Sequence, residues 1–231
     1  ISCQAVEGEP LYVEEKSIMY LMARAAKQAG TPAIRTSSIR DVIAIKEETG
    51  LPVIGLVKVQ YPGYEGFITP TMKEVDDLVA AGSDIVALDC TLRKRGDGST
   101  VNEFIAQIRE KYPDIILMAD ISNYEEGINA WKCGVDIVGT TMSGYTAYTS
   151  SVSDGPDYEL MERLARDINI PVIGEGRIHY PDQAVKALQT GAWAIVVGGA
   201  ITRPLEIAMR FQNAIKESRE NTILCRRRTG H

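Results

Sequence analysis

Two short segments, LPVIG at 51–55 and IPVIG at 170–174, are nearly identical although they lie far apart in the chain. In each of them a proline precedes a short run of apolar residues, which is typical of a buried strand entered from a turn. Pro113 precedes a third run of this kind, DIILMAD at 114–120. Such self-similarity indicates an architecture built from repeating units.

In a second series of predicted strands, a glycine lies shortly before each strand. At Gly30, Gly82, Gly134 and Gly191 a helical stretch ends, two residues follow, and an apolar run begins. The glycines are spaced by 52, 52 and 57 residues, which is about twice the length of one strand–helix unit. Glycine at this point suits the left-handed residue that closes a helix. Together with ISCQA at 1–5 as the first strand, the two series predict eight strands.

The segments between these strands have helical periodicity, so the chain alternates strand and helix. This alternation predicts the α/β class with a parallel sheet, and eight units in 231 residues predict a single (β/α)8 TIM barrel. We assign residues 1–217 to this catalytic barrel. An open, doubly wound sheet is the alternative, but no glycine-rich dinucleotide loop follows the first strand. The tail at 218–231 has no apolar period, and we expect it to be irregular or foreign to the native protein.

Composition restricts the classes of partner. The chain has 31 acidic and 25 basic residues, a net charge of −6, which disfavours nucleic-acid and anionic-membrane binding but is compatible with a small anionic ligand. No apolar run reaches the roughly 20 residues that span a bilayer, and no leader precedes Ile1, so we expect a cytoplasmic protein. Four scattered cysteines and two histidines offer no metal-ligand spacing, so we expect no metal.

Polar residues follow the apolar runs at the ends of the predicted strands, the face on which barrel enzymes carry their chemistry. The last inward positions of the odd-numbered strands are Gln4, Lys58, Asp120 and Glu175. Side chains from alternate strands share a layer, so these four should meet. Burial lowers the pKa of a lysine toward the range of a general base, so Lys58 is a candidate base. Glu175, flanked by two glycines, is a candidate acid that a ligand can approach closely.

The loops after the last two predicted strands favour a phosphate site. They read Gly176-Arg177 and Gly198-Gly199-Ala200, and the second leads into Arg203 and Pro204. Barrels commonly bind phosphate here through backbone amides and a helix N-terminus, and arginine adds charge-assisted hydrogen bonds. The alternative is a tight turn entering the last helix. His179 lies too far past its strand for catalysis, and we expect it at the surface.

Several motifs together resemble one family. They are SCQAVEGEPL at 2–11, AIRTSS at 33–38, GLVK at 55–58, ITPTMKEVD at 68–76, MADIS at 118–122, GTTMSGYT at 139–146, EGRI at 175–178 and VVGGAITRP at 196–204. In this order they closely resemble the N-acetylmannosamine-6-phosphate 2-epimerases of bacterial sialic acid catabolism, from Ile1 to about residue 211. One departure is that Val59 and Gln60 follow Lys58 where the family usually has a charged pair.

The resemblance implies an isomerase that interconverts N-acetylmannosamine 6-phosphate and N-acetylglucosamine 6-phosphate by inversion at C2. It implies that Lys58 moves the C2 proton with Glu175 as its acidic partner. It also implies that Gln4, Arg35 and Asp120 contact the sugar, and that the loop at 198–203 binds the phosphate. The family uses no cofactor, and its members are commonly homodimers associated through their C-terminal helices.

Other functions remain open on the residues alone. A desolvated Lys58 would equally suit a Schiff-base lyase or aldolase acting on a sugar phosphate. A non-catalytic sugar-phosphate-binding protein would keep the glycine loop but would not need Lys58, Asp120 and Glu175 together. Barrel isomerases of tryptophan or histidine synthesis are also compatible with the fold, because fold does not determine function.

Overall fold

The computed structural model describes residues 1–150 and 155–229, with side chains described up to residue 220. Seven strands form one sheet in sequence order, and each strand pairs in parallel with the next along the chain. The strands are β1 (Ile34–Ser37), β2 (Val53–Leu56), β3 (Ile85–Asp89), β4 (Ile116–Asp120), β5 (Ile137–Gly139), β6 (Val172–Glu175) and β7 (Ala194–Val196).

Helices alternate with the strands, as the periodicity predicted. In the described part of the chain they are α1 (Met19–Gln28), α2 (Ile39–Thr49), α3 (Met72–Ala80), α4 (Val101–Lys111), α5 (Tyr124–Lys132), α6 (Tyr158–Asp167), α7 (Pro181–Gln189), α8 (Gly199–Thr202) and α9 (Pro204–Thr229). Local chemistry determines several of their starts. In α4, Thr100 accepts a hydrogen bond from the Glu103 amide while the Glu103 carboxylate accepts from the Thr100 amide, which satisfies two donors at the helix start.

The N-terminal segment closes the ring between the first and last strands. The Ser2 amide donates to the Val197 carbonyl at 2.8 Å, and the Cys3 amide donates to the Arg35 carbonyl at 2.8 Å. The segment therefore occupies the place of the predicted first strand, and the (β/α)8 barrel is confirmed. The expectation of a regular strand over 1–5 is wrong, because the pairing is one bridge between Ser2 and Arg35.

The glycine series behaves as predicted. Gly30, Gly82, Gly134 and Gly191 have φ angles of +87°, +80°, +85° and +96°. After α1, the Thr31 amide reaches back to the Ala26 carbonyl at 3.0 Å, a bond that requires the left-handed residue between them. These glycines end the helices and turn the chain into the next strand.

Alternation along the strands separates two apolar layers. Val86 and Leu88 of β3 pack outward into the main core between the sheet and its helices, whereas Ala87 points into the barrel. The barrel interior contains a second apolar cluster that includes Ile54, Met118 and Ile173. Because side chains alternate, the next inward positions after this cluster lie at the carboxyl ends of the strands. These positions carry the polar residues of the candidate site.

The last helix begins at Pro204 and continues through Thr229. The expectation of an irregular tail at 218–231 is therefore wrong for 218–229, while 230–231 lie outside the described residues. Arg, Leu and Glu have high helix propensity, and i to i−4 hydrogen bonds need no apolar stripe, so the lack of an apolar period did not indicate irregular structure. Within the described residues, no helix combines the length and apolar character that crossing a membrane requires.

Candidate active site

A cavity of about 410 Å³ opens at the carboxyl ends of the barrel strands. Nine of the residues predicted for the site line it: Gln4, Arg35, Lys58, Glu175, Gly176, Arg177, Gly198, Gly199 and Arg203. The structure thus brings together residues that are up to 199 positions apart, from Gln4 to Arg203 (203 − 4). The volume of this cavity is suited to a small ligand.

Arg35 organises two acids at the floor of this cavity. Its Nη2 lies 2.7 Å from Asp120 Oδ2, and its Nε lies 3.3 Å from Glu175 Oε1. Burial alone would lower the pKa of Arg35, but Asp120 and Glu175 outweigh it and the pKa is raised. The guanidinium is therefore a permanent positive charge between two carboxyl groups.

Asp120 belongs to this cluster but not to the cavity wall. Its side chain has 0% exposure, with Arg35 on Oδ2 and Thr141 on Oδ1 at 2.7 Å. The sequence predicted that Asp120 contacts the sugar, whereas the structure places its carboxylate beneath the residues that could do so. In this arrangement Asp120 accepts hydrogen bonds from Arg35 and Thr141 and so positions both side chains.

Glu175 is the acid that reaches the cavity. Burial raises its pKa, the charge of Arg35 opposes that rise, and Asp120 adds to it. Its backbone is fixed by Thr140, whose hydroxyl donates to the Glu175 carbonyl at 2.8 Å. A carboxyl group with a raised pKa can serve as a general acid near neutral pH.

Lys58 follows β2 on the inward side. A bridge between Lys58 and Ile68 and a hydrogen bond from the Val59 amide to the Phe67 carbonyl at 3.0 Å hold the backbone of this segment. Burial lowers the pKa of Lys58 to about 8, and the charges of Arg35 and Arg203 contribute to the decrease. Lys58 is therefore partly neutral near physiological pH, as a base or nucleophile must be.

Glycines of the loops after β6 and β7 line the cavity. The amides of Gly198, Gly199 and Ala200 have no hydrogen-bond acceptor in the part of the chain that the structure describes. After β6, Gly176 and Arg177 both adopt positive φ, +104° and +54°, which bends the chain around the cavity edge. Adjacent unpaired amides form a site for an anion.

Arg203 is predicted as a phosphate ligand, and the structure places carboxylates on both sides of its guanidinium. Nη2 lies 3.0 Å from Glu9 Oε1, and Nη1 lies 3.2 Å from Glu206 Oε1. The Glu206 carboxylate also lies over Gly199, where a Cβ would collide with it. An incoming anion would thus compete with Glu206 for Arg203.

Arg177 packs beneath the loop after β5. Its guanidinium carbon lies 5.8 Å from the centre of the Tyr145 ring. A Cβ on Gly144 would collide with its guanidinium, so glycine at 144 makes room for the arginine. Arg177 therefore forms part of the cavity wall together with Tyr145.

Gln4 carries a buried acceptor that faces no described donor. Its Nε2 donates to Ser2 Oγ at 2.7 Å, and among the described residues nothing donates to its buried Oε1. Leaving a buried acceptor unpaired costs free energy. Because Gln4 lines the cavity, a ligand N–H or O–H group could satisfy this oxygen.

Sequence reasoning missed Thr141, Tyr145 and His179, all of which line the cavity. A threonine or tyrosine in a loop has no characteristic spacing, although GTTMSGYT stands out by following a strand directly. The surface position expected for His179 is only partly confirmed. It is half-buried at the cavity edge, with Nδ1 3.4 Å from Arg210 Nη1, and burial lowers its pKa.

Comparison with known sequences gives one family. Residues 19–217 match the family described as "Putative N-acetylmannosamine-6-phosphate epimerase". A Caldanaerobacter subterraneus subsp. tengcongensis protein named "Putative N-acetylmannosamine-6-phosphate 2-epimerase" is 55% identical over 223 residues, covering 96% of this chain and 93% of that protein. A Clostridium perfringens protein of the same name is 50% identical over 216 residues, covering 94% and 96%.

Solved structures agree. The N-acetylmannosamine-6-phosphate 2-epimerase from Clostridium perfringens matches with a TM-score of 0.86 and 49% identity, covering 92% of this chain and 91% of that chain. Thiamine phosphate pyrophosphorylase from Pyrococcus furiosus matches with a TM-score of 0.55 and 21% identity over 79% of this chain and 80% of that chain, a likeness of fold alone. The chain belongs to the N-acetylmannosamine-6-phosphate epimerase family.

Proposed function

We propose that this protein is an isomerase that interconverts N-acetylmannosamine 6-phosphate and N-acetylglucosamine 6-phosphate by moving the proton at C2. One observation carries the proposal. Lys58, with its pKa lowered to about 8, and Glu175, with its pKa raised, line the same cavity. Two groups with pKa values moved toward neutrality in one site are typical of acid–base catalysis. Family membership supports the choice of substrate.

The chemistry begins with ring opening, because the hydrogen at C2 is acidic only when C1 is an aldehyde. Glu175 is the acid that can protonate the ring oxygen as the C1–O5 bond breaks, since Asp120 has no exposed surface. Its carboxylate then takes the proton of the C1 hydroxyl, which gives the aldehyde and leaves Glu175 protonated again. Neutral Lys58 then takes the C2 proton, and the electron pair of the C–H bond moves to the oxygen at C1 to form an enolate. The positive charge of Arg35 at the cavity floor would stabilise that oxygen.

Inversion requires the proton to return to the opposite face of C2. Lys58 follows β2 and Glu175 ends β6. With the N-terminal segment counted alongside the seven strands, these two positions lie across the ring from each other. Lys58 and Glu175 can therefore address the two faces of a substrate bound between them.

The phosphate would lie at the amides of Gly198, Gly199 and Ala200. Their N–H groups supply donors without a side chain in the way. Arg203 would add a charge-assisted bond by exchanging Glu206 for the phosphate. Gln4 would accept a hydrogen bond from the sugar through Oε1.

Proton exchange at C2 tests the function directly. The protein is incubated with N-acetylmannosamine 6-phosphate in heavy water, and deuterium at C2 and the appearance of the second epimer are followed by NMR. The wild type should exchange and epimerise, and Lys58→Ala should do neither. Lys73→Ala is the matched control, since Lys73 is 72% exposed and paired with Asp77 on α3. Full exchange by Lys58→Ala would refute the assignment.

A Schiff-base enzyme is the second candidate, because the lowered pKa of Lys58 would favour imine formation equally. Borohydride reduction in the presence of substrate separates the two mechanisms. We expect no mass increase on the peptide containing Lys58. A covalent adduct there would favour the lyase or aldolase over proton transfer.

We also propose that the protein acts as a homodimer in the cytoplasm. Helix α9 exposes Leu205, Met209, Phe211 and Ile215, and Phe211 is 69% exposed. An exposed apolar face of this kind is typical of a subunit interface. A charged sugar phosphate does not cross a bilayer unaided, which favours the compartment where such sugars are made. Sedimentation should give a dimer mass for the wild type and a monomer mass for Phe211→Glu.

A further inference from the structure

The hydroxyl of Thr141 lies between the two carboxyl groups of the site. Its Oγ1 is 2.7 Å from Asp120 Oδ1 and 3.2 Å from Glu175 Oε2. Thr141 follows β5 directly and lines the cavity beside Glu175. Both contacts are within hydrogen-bond distance.

The number of protons decides what these contacts can be. A threonine hydroxyl has one proton, so it donates once, although it can accept from other donors. The shorter contact is with Asp120 Oδ1, and the other oxygen of Asp120 accepts from Arg35 at 2.7 Å. If the hydroxyl donates to Asp120, its contact with Glu175 is a hydrogen bond only when Glu175 carries a proton and donates it.

We propose that Thr141 is a positioning residue that donates to Asp120 and accepts from protonated Glu175, and so holds Glu175 in its acid form facing the cavity. This inference rests on the proposed function in one respect, the use of Glu175 as the acid that opens the sugar ring. The link from Arg35 through Asp120 and Thr141 to Glu175 would then fix the proton of Glu175 before substrate arrives.

The surrounding charges agree with a protonated Glu175. The charged and titratable groups that face it belong to Ile1, Arg35, Lys58, Asp120 and Tyr145. Arg35 is closer to Asp120, at 2.7 Å, than to Glu175, at 3.3 Å, so its charge is matched first by Asp120. Burial raises the pKa of Glu175 and the Asp120 charge adds to the rise, while the Arg35 charge opposes it, and a hydrogen bond donated by Thr141 to an ionised Glu175 would also lower it. Lys58 opposes this rise only to the extent that it is itself protonated.

Replacing Thr141 by valine distinguishes the two possible directions of the hydrogen bond between Thr141 and Glu175. If Thr141 accepts from Glu175, losing the hydroxyl destabilises the protonated acid, and the pKa of Glu175 falls. If instead Thr141 donates to an ionised Glu175, the same loss destabilises the carboxylate, and the pKa rises. The two arrangements therefore predict opposite shifts.

The test is a titration of Glu175 without substrate. In protein labelled with ¹³C in the glutamate carboxyl groups, the Glu175 signal is identified by its loss in Glu175→Gln, and its shift is followed with pH. We expect Thr141→Val to lower this pKa by about one unit, the value of one hydrogen bond, and Thr141→Ser to restore it. Thr141→Ala, which also lacks the hydroxyl, gives the same sign if the valine variant does not fold.

Thr140→Val is the matched control. Among the described residues, the Thr140 hydroxyl makes its hydrogen bonds with the backbone of Glu175, donating to its carbonyl at 2.8 Å and accepting from its amide at 3.1 Å. We expect loss of the Thr140 hydroxyl to leave the pKa of the Glu175 carboxyl group unchanged. An unchanged or raised pKa in Thr141→Val, or an equal shift in Thr140→Val, overturns the inference.

Measuring C2 exchange in the same wild-type sample separates this inference from the proposed function. A lowered pKa in Thr141→Val supports the role of Thr141 even if the wild type exchanges no C2 proton, in which case only the proposed function fails. Normal exchange together with an unmoved or raised pKa overturns the role of Thr141 and leaves the proposed function standing.

Discussion

The amine of Lys58 should titrate about 2.5 pH units below an ordinary lysine, and a change of pH reveals this difference. Burial lowers its pKa from 10.5 to about 8. At about pH 7.5, a quarter or so of Lys58 is then neutral, against about 0.1% of an unperturbed lysine, a ratio of about 200. Because the folded-state pKa is lowered, the neutral form appears as pH rises through about 8.

Acylation of the free protein measures this fraction, since only neutral amines react. Brief treatment with acetic anhydride between about pH 6 and 11, followed by peptide mass spectrometry, gives a reactivity curve for each lysine. The curve for Lys58 should level off above about pH 8. Lys73 is an internal control, because its ion pair with Asp77 raises its pKa. A midpoint for Lys58 near that of Lys73 would refute the proposed base, because the cavity would then not hold a neutral amine.

Four further substitutions test the loops and the barrel. Arg203→Gln should raise the Kd of the phosphorylated sugar about tenfold in calorimetry, whereas Glu206→Gln should lower it by freeing Arg203; shifts in the same direction would contradict the exchange described above. Gly199→Ala should raise that Kd, because its Cβ would occupy the space where the Glu206 carboxylate now lies and where the phosphate would replace it; unchanged binding would show that the phosphate lies elsewhere. Gly55→Ala should lower the free energy of unfolding in urea by about 1–3 kcal/mol, because its Cβ would collide with Ser83 Oγ; wild-type stability would mean that this contact relaxes freely.

The repeated strand and helix signals were sufficient to predict the barrel, because backbone geometry at Gly30, Gly82, Gly134 and Gly191 is a local property. The carboxyl ends of the strands could also be identified from the sequence. Lys58 and Glu175 could therefore be placed in one site from the alternating direction of side chains along the strands. The first strand was overestimated because its pairing depends on two neighbours, near Arg35 and Val197, that are distant in sequence.

Side-chain partners were harder to predict than side-chain positions. The pairing of Arg203 with Glu9 joins residues from the two ends of the chain, and no spacing rule connects them. The burial of Asp120 depends on how Arg35 and Thr141 cover it, which alternation along one strand does not determine. Thr141 was missed because a single hydroxyl gains its importance only from the two acids around it.

The closure of the ring by residues 1–3 has a consequence for synthesis on the ribosome. Ser2 pairs with Val197, and its carbonyl accepts from the Thr202 hydroxyl at 2.7 Å, so this segment waits for partners that are synthesised about 195 residues later (197 − 2). At about 5–20 residues per second, that wait is roughly 10–40 s. Gln4 and the Gly198 loop line the cavity at this same seam. A nascent chain that has not yet reached Thr202 therefore cannot have a complete ligand pocket, and binding of a sugar phosphate would report that this seam has emerged and closed.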